Sequence, residues 1–537
     1  MPFKRCIIMV QADKRKPNFM YICWNFQKND MSGGMKTLAR ETVIYGGTTI
    51  IQRSLSWFLA LFWTYYLPSQ ADMGIVNNFY AWIALFLVIL IYGLETGFFR
   101  FANKQEESPD KVFSTAITSL SATTLLFVAL TLLFLYPVSR GLNMGEKPHY
   151  IVMMVFIIAL DVFGAIPFAY LRYKNRPVRF AAIKLSNIVI TILLNLFFFL
   201  VMPLLDARYP GAFGWYRIEN SVEYILIANL VASFVQTLLV FSQVRIRYQW
   251  GGLPLLKRML QYSLPLLILG VAGILNQNAA IILFPEIYPD ATPGKLEAYR
   301  ELGIYSASMK IAIILIVMTQ AFRYAFEPFI FAKSNDGGDN KRAYADVTRY
   351  FIIFGLFVVL AVMGYMDIIK YLIKSTYHAG LTVVPIVMMG ELFFGVYFNL
   401  SLWYKLTDKT QWGAYMSLMG LVITLAINIL FIPSYSYMAC AWASFFANLV
   451  MMIVSYLLGQ KHYPIKYDLK YAALFFSVSM LFLAVILLGF IYVENIWIRL
   501  TVNTILIVAY VVLALKKGFP AGILGRAPVI GKFINIK

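Results

Sequence analysis

Long apolar runs dominate this chain and restrict the folds that it can adopt. In windows of about 19 residues, about fourteen runs are long enough to cross a bilayer as helices. Of the 537 residues 60% are hydrophobic and 13% are charged, whereas soluble domains are about 25% charged. We therefore predict an all-α polytopic membrane protein. The predicted runs lie near 43–66, 74–99, 112–136, 149–171, 180–202, 223–244, 259–283, 304–328, 347–367, 381–402, 413–432, 438–458, 471–493 and 497–515.

The basic residues collect between alternate runs. If the N-terminus is cytoplasmic, the cytoplasmic segments hold roughly four times as many Lys and Arg residues as the outer loops. This bias predicts that both termini are cytoplasmic. The net charge of +20 is then a topology signal and a contact for anionic membrane lipids, and no nucleic-acid partner is needed to explain it.

A repeated pattern divides the runs into two sets. The segment VITILLNLFF at 189–198 returns as VITLAINILF at 422–431, and ANLV occurs in both halves. Six runs per copy is an even number, so both copies cross in the same direction. Two six-helix lobes are predicted, related by a pseudo-two-fold axis along the membrane normal with a cavity between them. The divisions are a cytoplasmic N-terminal segment (1–40), an N-lobe (41–248), a C-lobe (249–460), two extra C-terminal helices (461–515) and a basic cytoplasmic tail (516–537).

Residues 1–30 are basic and patternless, and the helical pattern begins near Met35. Two interpretations remain open, namely that translation starts at Met31 or Met35, or that the segment is a cytoplasmic arm. The three Cys and three His residues form no disulfide, metal or catalytic spacing. With no nucleotide-binding loop or nucleophile motif, we expect no enzyme activity, cofactor or metal.

Three stretches resemble the bacterial oligosaccharide-lipid flippases of the Wzx type, which share a superfamily with the lipid II flippase and the multidrug and toxin exporters. These stretches are 38–104, 160–187 and 305–333, and the resemblance extends over about 36–515. It implies two six-helix lobes plus two added helices, and movement of polyprenyl-diphosphate-linked oligosaccharide from the inner to the outer leaflet. Family members carry cations in a central cavity, and Arg53 and Lys310 occupy matching places.

The most unusual residue is Arg53, which follows Gln52 near the middle of the first run. An ionised side chain at that depth costs at least about 2.5–3.5 kcal/mol, so it should face water or a partner. A guanidinium matches phosphate oxygens and does not deprotonate, which favours contact with the lipid diphosphate. The alternative is a structural ion pair with Asp161.

Two further cations are weighed in the eighth run. Lys310 lies only about five residues inside its predicted outer end, so snorkelling to the surface competes with a cavity role. Arg323 is four residues from Glu327, so the two side chains either pair on one helix face or Arg323 forms an inner gate. Lys184, about one turn into the fifth run, is expected to snorkel.

Carboxylates occur in both predicted lobes. Asp161 and Glu391 are central in their runs, where each either binds a coupling H⁺ or Na⁺, neutralises a cation, or forms an interhelical hydrogen bond. Glu95 lies near the inner end of the second run, as a cavity-mouth residue or part of a structural network. Arg100 is poorly spaced to pair with it.

Polar residues in the runs are mostly expected to form interhelical hydrogen bonds. Asn276 and Asn278, which follow Pro265 and Gly270, are alternatively polar cavity residues or part of a bend that lets the lobes move.

The sequence therefore predicts an alternating-access flippase for surface polysaccharide such as O-antigen of lipopolysaccharide, in the bacterial cytoplasmic membrane, with other polysaccharide assembly proteins as potential partners. A cation-coupled exporter of drugs or small metabolites is the alternative. A glycan polymerase or an acyltransferase is disfavoured, because the outer loops are short and no histidine is central.

Overall fold

The fold is entirely helical in the residues that the structure describes. The computed structural model describes residues 33–518 except 105–106, 146, 335–340, 408 and 410, without the side chains of 33–43, 45, 293, 323–334 and 405. Within these ranges there is no strand. Residues 1–32, with the question of the translation start, and 519–537, most of the predicted tail, lie outside the description.

The α-helices, numbered in chain order, are α1 Gly33–Tyr66, α2 Gln70–Ile91, α3 Leu94–Asn103, α4 Pro109–Leu133, α5 Leu135–Gly141, α6 Pro148–Tyr173, α7 Pro177–Leu196, α8 Met202–Arg208, α9 Ser221–Ser242, α10 Gly252–Ile287, α11 Leu296–Ser334, α12 Lys341–Gly364, α13 Met366–Ile369, α14 Val384–Leu400, α15 Leu402–Leu406, α16 Gln411–Tyr435, α17 Tyr437–His462, α18 Leu469–Tyr492 and α19 Ile496–Leu513. A π-helical stretch, Phe197–Val201, joins α7 to α8, and another, Ala514–Gly518, extends α19.

Thirteen helical stretches from residue 70 onward, in the described part of the chain, are long and apolar enough to cross a membrane. Helix α1, with 34 residues, precedes them. The prediction of an all-α polytopic membrane fold is thus confirmed. Three helices begin well before the predicted runs, namely α1 at Gly33 rather than near 43, α10 at Gly252 rather than near 259, and α11 at Leu296 rather than near 304. The first turns of α11 carry Glu297, Arg300 and Glu301, and such charges end an apolar run without ending a helix.

The second predicted run is divided at Tyr92 and Gly93, which have φ angles of 34° and 73°. Both residues are in the left-handed region, which glycine occupies without steric cost. A Cβ at position 93 would also lie 2.7 Å from the Ser263 backbone oxygen of α10. The break therefore allows close approach of α10 and starts a new helix, α3, which carries Glu95.

For the remaining description we keep the predicted names, N-lobe for residues 41–248 and C-lobe for 249–460. In the N-lobe, α9 packs on α6 and α7; in the C-lobe, α17 packs on α14 and α16. We call the end of the bundle where α1 ends and α2 begins the outer end, following the predicted orientation. The opposite end is the inner end.

Helix α10 contacts both lobes. Near its start, Arg258 pairs with Glu107 of the N-lobe at 2.5 Å, and hydrogen bonds from Lys111 and Arg258 to that carboxylate keep its pKa below the usual value. Farther along, Asn276 accepts a hydrogen bond from Thr424 of α16 at 3.2 Å. The inner half of α10 is therefore held by N-lobe residues, whereas its outer half contacts both α16 of the C-lobe and α2 of the N-lobe, where Asn78 donates to the Ile281 carbonyl.

At the outer end, α2 and α11 touch backbone to backbone. A Cβ on Gly74 would lie 1.9 Å from the Tyr299 carbonyl oxygen, and one on Gly303 would lie 1.9 Å from the Gln70 carbonyl oxygen. Neither distance is compatible with a side chain, so the two glycines permit this crossing. The N-lobe and the C-lobe are thus in direct contact at the outer end.

Hydrogen bonds reinforce this outer contact. Gln70 accepts from Arg300 Nε at 3.0 Å and donates to the Thr376 carbonyl, and the Tyr65 hydroxyl donates to the Tyr371 carbonyl. The same segments line a cavity of about 570 Å³. The outer end of the interface is closed by direct polar contacts around this cavity.

Helices α18 and α19 pack against α12. At the outer end, Arg499 donates to both carboxylate oxygens of Asp367, at 2.8 and 2.9 Å, and Lys370 lies 3.1 Å from the same group. Asp367 is only 2% exposed. A bidentate pair of this kind fixes geometry as well as supplying energy, so it holds α19 in place beside the C-lobe.

We expect Gly303→Val to separate the lobes at the outer end. Non-bonded carbon contacts lie near 3.5 Å, so the new side chain must push α2 and α11 apart by about 2 Å or more. Spin labels at the exposed positions Tyr136 and Tyr435 should report a longer distance by pulsed electron resonance. Gly489→Val is the matched control, since a Cβ there meets nothing within 4 Å. An unchanged distance in Gly303→Val would contradict the proposed steric requirement.

Candidate functional site

Arg53 lies where α1 of the N-lobe crosses α11 of the C-lobe. Its position is about 20 Å along α1 from Tyr66, and its side chain is exposed. The guanidinium donates a hydrogen bond to the Gln320 side-chain oxygen of α11. The sequence predicts Arg53 deep in a membrane helix, and the structure places it at the contact between the two lobes.

Lys310 reaches across the same interface. Its Nζ donates to Asn77 Oδ1 of α2 at 3.1 Å, and its backbone carbonyl accepts from the Trp57 indole of α1 at 2.6 Å. Because α11 begins at Leu296, Lys310 lies about 21 Å along the helix. It is deeper than the apolar run predicted, and it is half-buried against the N-lobe rather than snorkelling.

These five residues, Arg53, Trp57, Asn77, Lys310 and Gln320, are called the interlobe cation cluster. Lys310 and Gln320 are about 15 Å apart along α11, so the two cations lie at different depths. Both bind neutral amides, and among the described residues neither has a carboxylate partner. The cluster thus carries positive charge that those residues do not neutralise.

A second polar site lies within the N-lobe. Its cavity of about 310 Å³ contains two sets of opposite charges. Arg172 pairs with Glu95; Asp161 interacts electrostatically with Lys184 and forms a hydrogen bond with Ser233. The other polar lining residues are Gln52, Asn187, Asn229, Ser233 and Gln236. We call this site the N-lobe polar pocket.

The pocket resolves several alternatives from the sequence. Asp161 interacts with Lys184 and not with Arg53, so the structural ion pair considered for Arg53 is not formed. Lys184 was expected to snorkel, but it lines the pocket, with its Nζ 4.1 Å from the centre of the Phe168 ring. Lys184 and Asp161 are 23 residues apart and lie on two different helices. No local sequence pattern therefore predicts their interaction.

Glu95 pairs with Arg172 and also lines the N-lobe polar pocket, and these contacts fit each of its two predicted roles. Its partner Arg172 lies near the end of α6, and the Arg172 guanidinium is also 5.1 Å from the centre of the Phe99 ring. Arg100 instead lies 4.0 Å over Tyr262 of α10. Arg100 therefore contacts α10, and Glu95 pairs with Arg172 instead.

The C-lobe carboxylate has different surroundings. Glu391 is half-buried in α14, interacts electrostatically with Tyr305, and has no cation partner among the described residues. The two central carboxylates, predicted as equivalents, therefore differ in charge compensation.

The asparagines of α10 divide between two roles. Asn276 forms the predicted interhelical hydrogen bond with Thr424, whereas Asn278 donates to the Ile274 carbonyl of its own helix at 3.2 Å. Helix α10 is continuous from Gly252 to Ile287 and includes Pro265. Arg323 lies within α11, but its side chain and that of Glu327 are outside the described part of the structure.

Comparison with known proteins gives structural matches only. No family model and no curated protein matches the chain. Among solved structures, the lipid II flippase MurJ in an inward closed conformation has a TM-score of 0.66 at 15% identity, covering 88% of this chain and 99% of its own. An inward-facing multidrug resistance MATE family transporter of the MOP superfamily has a TM-score of 0.59 at 13% identity, covering 76% and 94%.

An outward-facing MATE family transporter of the same superfamily has a TM-score of 0.52 at 14% identity, covering 80% of this chain and 98% of its own. At these identities the matches show the fold alone. The chain has the fold shared by a lipid II flippase and multidrug transporters, and these neighbours are transporters rather than enzymes.

We expect Asp161→Asn and Lys184→Gln to destabilise the N-lobe singly but to compensate each other in part. Removing one of two opposite charges that interact inside the pocket leaves the other without its counter-charge, which is unfavourable. The melting temperature of the purified protein should therefore fall in each single variant and recover in the double variant. Lys174→Gln, which removes an exposed cation, is the control. Additive losses in the double variant would show that the two groups are not coupled.

Proposed function

We propose that the protein is a flippase that moves polyprenyl-diphosphate-linked oligosaccharide from the inner to the outer leaflet by alternating access. The diphosphate binds at the interlobe cation cluster, in the cleft that the sequence predicts between the lobes, and the polyprenyl chain remains in the lipid. This activity serves the synthesis of a surface polysaccharide.

The observation that supports this most directly is the unmatched charge of the interlobe cation cluster. A cation inside a membrane protein is normally paired, as Arg172 and Lys184 are in the N-lobe polar pocket. Among the described residues Arg53 and Lys310 bind only amides, and arginine does not lose its charge by deprotonation. An anionic ligand in the cleft would supply the missing partner, and a diphosphate matches the guanidinium geometry.

The closed outer end supports the direction of loading. With α2 and α11 in contact at Gly74 and Gly303, a ligand reaches the cation cluster from the inner end. Release to the outer leaflet then requires this contact to open. One structural neighbour is described as a lipid II flippase, a protein named for a lipid substrate, which agrees with a lipid-linked substrate for this chain.

The cellular setting follows from the charge distribution. We propose the bacterial cytoplasmic membrane with both termini in the cytoplasm, because Lys and Arg residues favour that side. Outward movement of an anionic diphosphate is favoured by an inside-negative potential, by about 2.3 kcal/mol per charge per 100 mV. Other polysaccharide assembly proteins are the expected partners.

A cation-coupled exporter of drugs or small metabolites is the second candidate. It is favoured by the MATE family structures among the neighbours and by the N-lobe polar pocket, whose carboxylates resemble an ion site more than an anion site. It does not explain why Arg53 and Lys310 have no carboxylate partner in the part of the chain that the structure describes.

Replacing Arg53 tests the first proposal. A hydrogen bond to a charged group contributes about 1.5–3 kcal/mol, so Arg53→Ala should raise the apparent KM for a polyprenyl-diphosphate glycan about 10-fold to 100-fold in proteoliposomes. Arg53→Lys should retain part of the affinity, because it keeps the charge but not the fork.

Arg208→Ala, which removes an exposed arginine near the outer end, is the matched control. Surface polysaccharide in cells should follow the same order at equal protein levels. Undiminished glycan transport by Arg53→Ala would overturn the proposed role. Loss of drug extrusion, with glycan transport unchanged, would favour the exporter.

We propose that Glu391 takes up the coupling ion, H⁺ or Na⁺, because its charge has no cation partner among the described residues, whereas Asp161 is matched by Lys184. Glu391→Gln should still carry substrate down its own gradient. It should fail to accumulate substrate under an imposed proton or sodium gradient, measured in the same proteoliposomes. Accumulation at the wild-type level in Glu391→Gln would transfer this role to Asp161.

A further inference from the structure

A groove on the extra helices lies apart from the cleft and from the N-lobe polar pocket. It has a volume of about 210 Å³ and is lined only by apolar surface, from Ile353, Phe354 and Phe357 of α12 and Tyr510, Val511, Ala514 and Leu515 of α19. Phe354 at its edge is 51% exposed. The groove is therefore open to the surrounding lipid.

The floor of the groove is rigid. Tyr510 is fully buried, and its hydroxyl donates to the Ile353 carbonyl at 2.9 Å. Its ring also packs against Phe475 of α18 in an edge-to-face contact with centroids 5.9 Å apart. Because the only polar atom of the lining side chains is already bonded, the groove itself accepts a hydrocarbon chain and no polar group.

Cations mark the inner end of the groove. Lys516 and Lys517 follow Leu515 directly and are exposed. Arg349, one turn before Ile353, donates to the Lys517 carbonyl at 2.6 Å and lies 4.0 Å over the Tyr471 ring. The guanidinium and the two ammonium groups are thus gathered where the apolar lining stops.

The backbone at this point is π-helical from Ala514 to Gly518. Such turns are rare and are frequent at functional sites. Here the turn leaves Ala514 and Gly518 buried, with Gly518 against Ile353 and Phe475. The two lysines between them are exposed at the mouth of the groove.

The acidic residues nearby do not cancel this charge. Asp346 lies about one turn before Arg349, and Asp468 caps α18 by accepting from the Tyr471 backbone N–H at 3.3 Å. Lys470, also exposed, adds a fourth cation beside Asp468. Neither Lys516 nor Lys517 has a carboxylate partner among the described residues, and the sequence from 516 to its end contains no Asp or Glu.

From this combination we propose that the groove between α12 and α19 binds an anionic phospholipid of the leaflet at the inner end of the bundle. One acyl chain lies along Phe354, Phe357 and Val511. The phosphate lies at Lys516 and Lys517, with Arg349 at the rim. The charge at the mouth selects an anionic headgroup over a zwitterionic one, and this site is independent of the transported substrate.

Native mass spectrometry of the delipidated full-length protein tests this proposal. Titration with dioleoyl-phosphatidylglycerol and with dioleoyl-phosphatidylcholine gives a dissociation constant for the first bound lipid. We expect at least about fivefold tighter binding of phosphatidylglycerol, since each basic residue near a headgroup contributes about that factor. In Lys516→Gln/Lys517→Gln the preference for phosphatidylglycerol should fall at least about fivefold.

The matched control is Lys174→Gln/Lys257→Gln, which removes two exposed lysines elsewhere on the same end of the bundle. It should keep the wild-type preference. Val511→Trp fills the groove without changing charge and should weaken phosphatidylglycerol binding at least about fivefold, as expected for loss of chain contact. Melting temperatures near the wild-type value show that each variant is folded.

Three results would overturn the site. The first is equal affinity of the wild type for the two lipids, and the second is an equal loss of preference in the two double-lysine variants, which would indicate diffuse attraction. The third comes from competition with a polyprenyl phosphate. If that lipid displaces phosphatidylglycerol with at least tenfold higher affinity, the groove holds the chain of the transported substrate instead.

Discussion

The organisation of this protein depends on how each cation within the membrane region is compensated. In the N-lobe polar pocket, Lys184 and Arg172 are matched by Asp161 and Glu95, and the site is neutral as a whole. At the lobe interface, Arg53 and Lys310 are held by amides and by no carboxylate in the described part of the chain. A charge without a counter-charge costs at least a few kcal/mol at this depth. The described residues therefore leave positive charge without a counter-charge at the lobe interface but not in the N-lobe polar pocket.

The close contact of α2 and α11 at Gly74 and Gly303 links the position of Lys310 to the outer end of the interface. Gly74 and Asn77 are three residues apart on α2, and Gly303 and Lys310 are seven apart on α11, spacings that keep each pair on one helix face. Separation of the helices at Gly74 and Gly303 would therefore also pull Lys310 away from Asn77. We therefore expect the opening of the outer end and the release of Lys310 from Asn77 to occur together. A diphosphate that replaces Asn77 as the partner of Lys310 would lower the cost of opening.

The sequence predicted where along each helix the important residues lie better than which neighbouring helix their side chains face. Hydropathy located the apolar helices and showed that Arg53, Asp161 and Glu391 lie deep, because length and composition set depth. It did not show that Arg53 faces Gln320, since a helix that is apolar all round has little periodicity to mark its inner face. It also missed the contact of Lys184 with Asp161, which depends on the packing of α6 and α7. The break at Tyr92 and Gly93 was missed because the apolar run continues through it.

The two extra helices, α18 and α19, carry paired charges at one end and exposed lysines at the other. Their outer end is fixed by the buried pair of Arg499 and Asp367, a contact with defined geometry, whereas their inner end carries Lys516 and Lys517 without carboxylate partners among the described residues. A buried bidentate pair holds one arrangement, while exposed lysines adapt to whatever anions the membrane supplies. The proposed transport requires the lobes to rock, whereas α19 is anchored to the C-lobe by both α12 and Asp367. A lipid bound at its inner end would therefore move with the C-lobe alone, and it would stabilise that lobe in the bilayer without resisting the opening of the cleft.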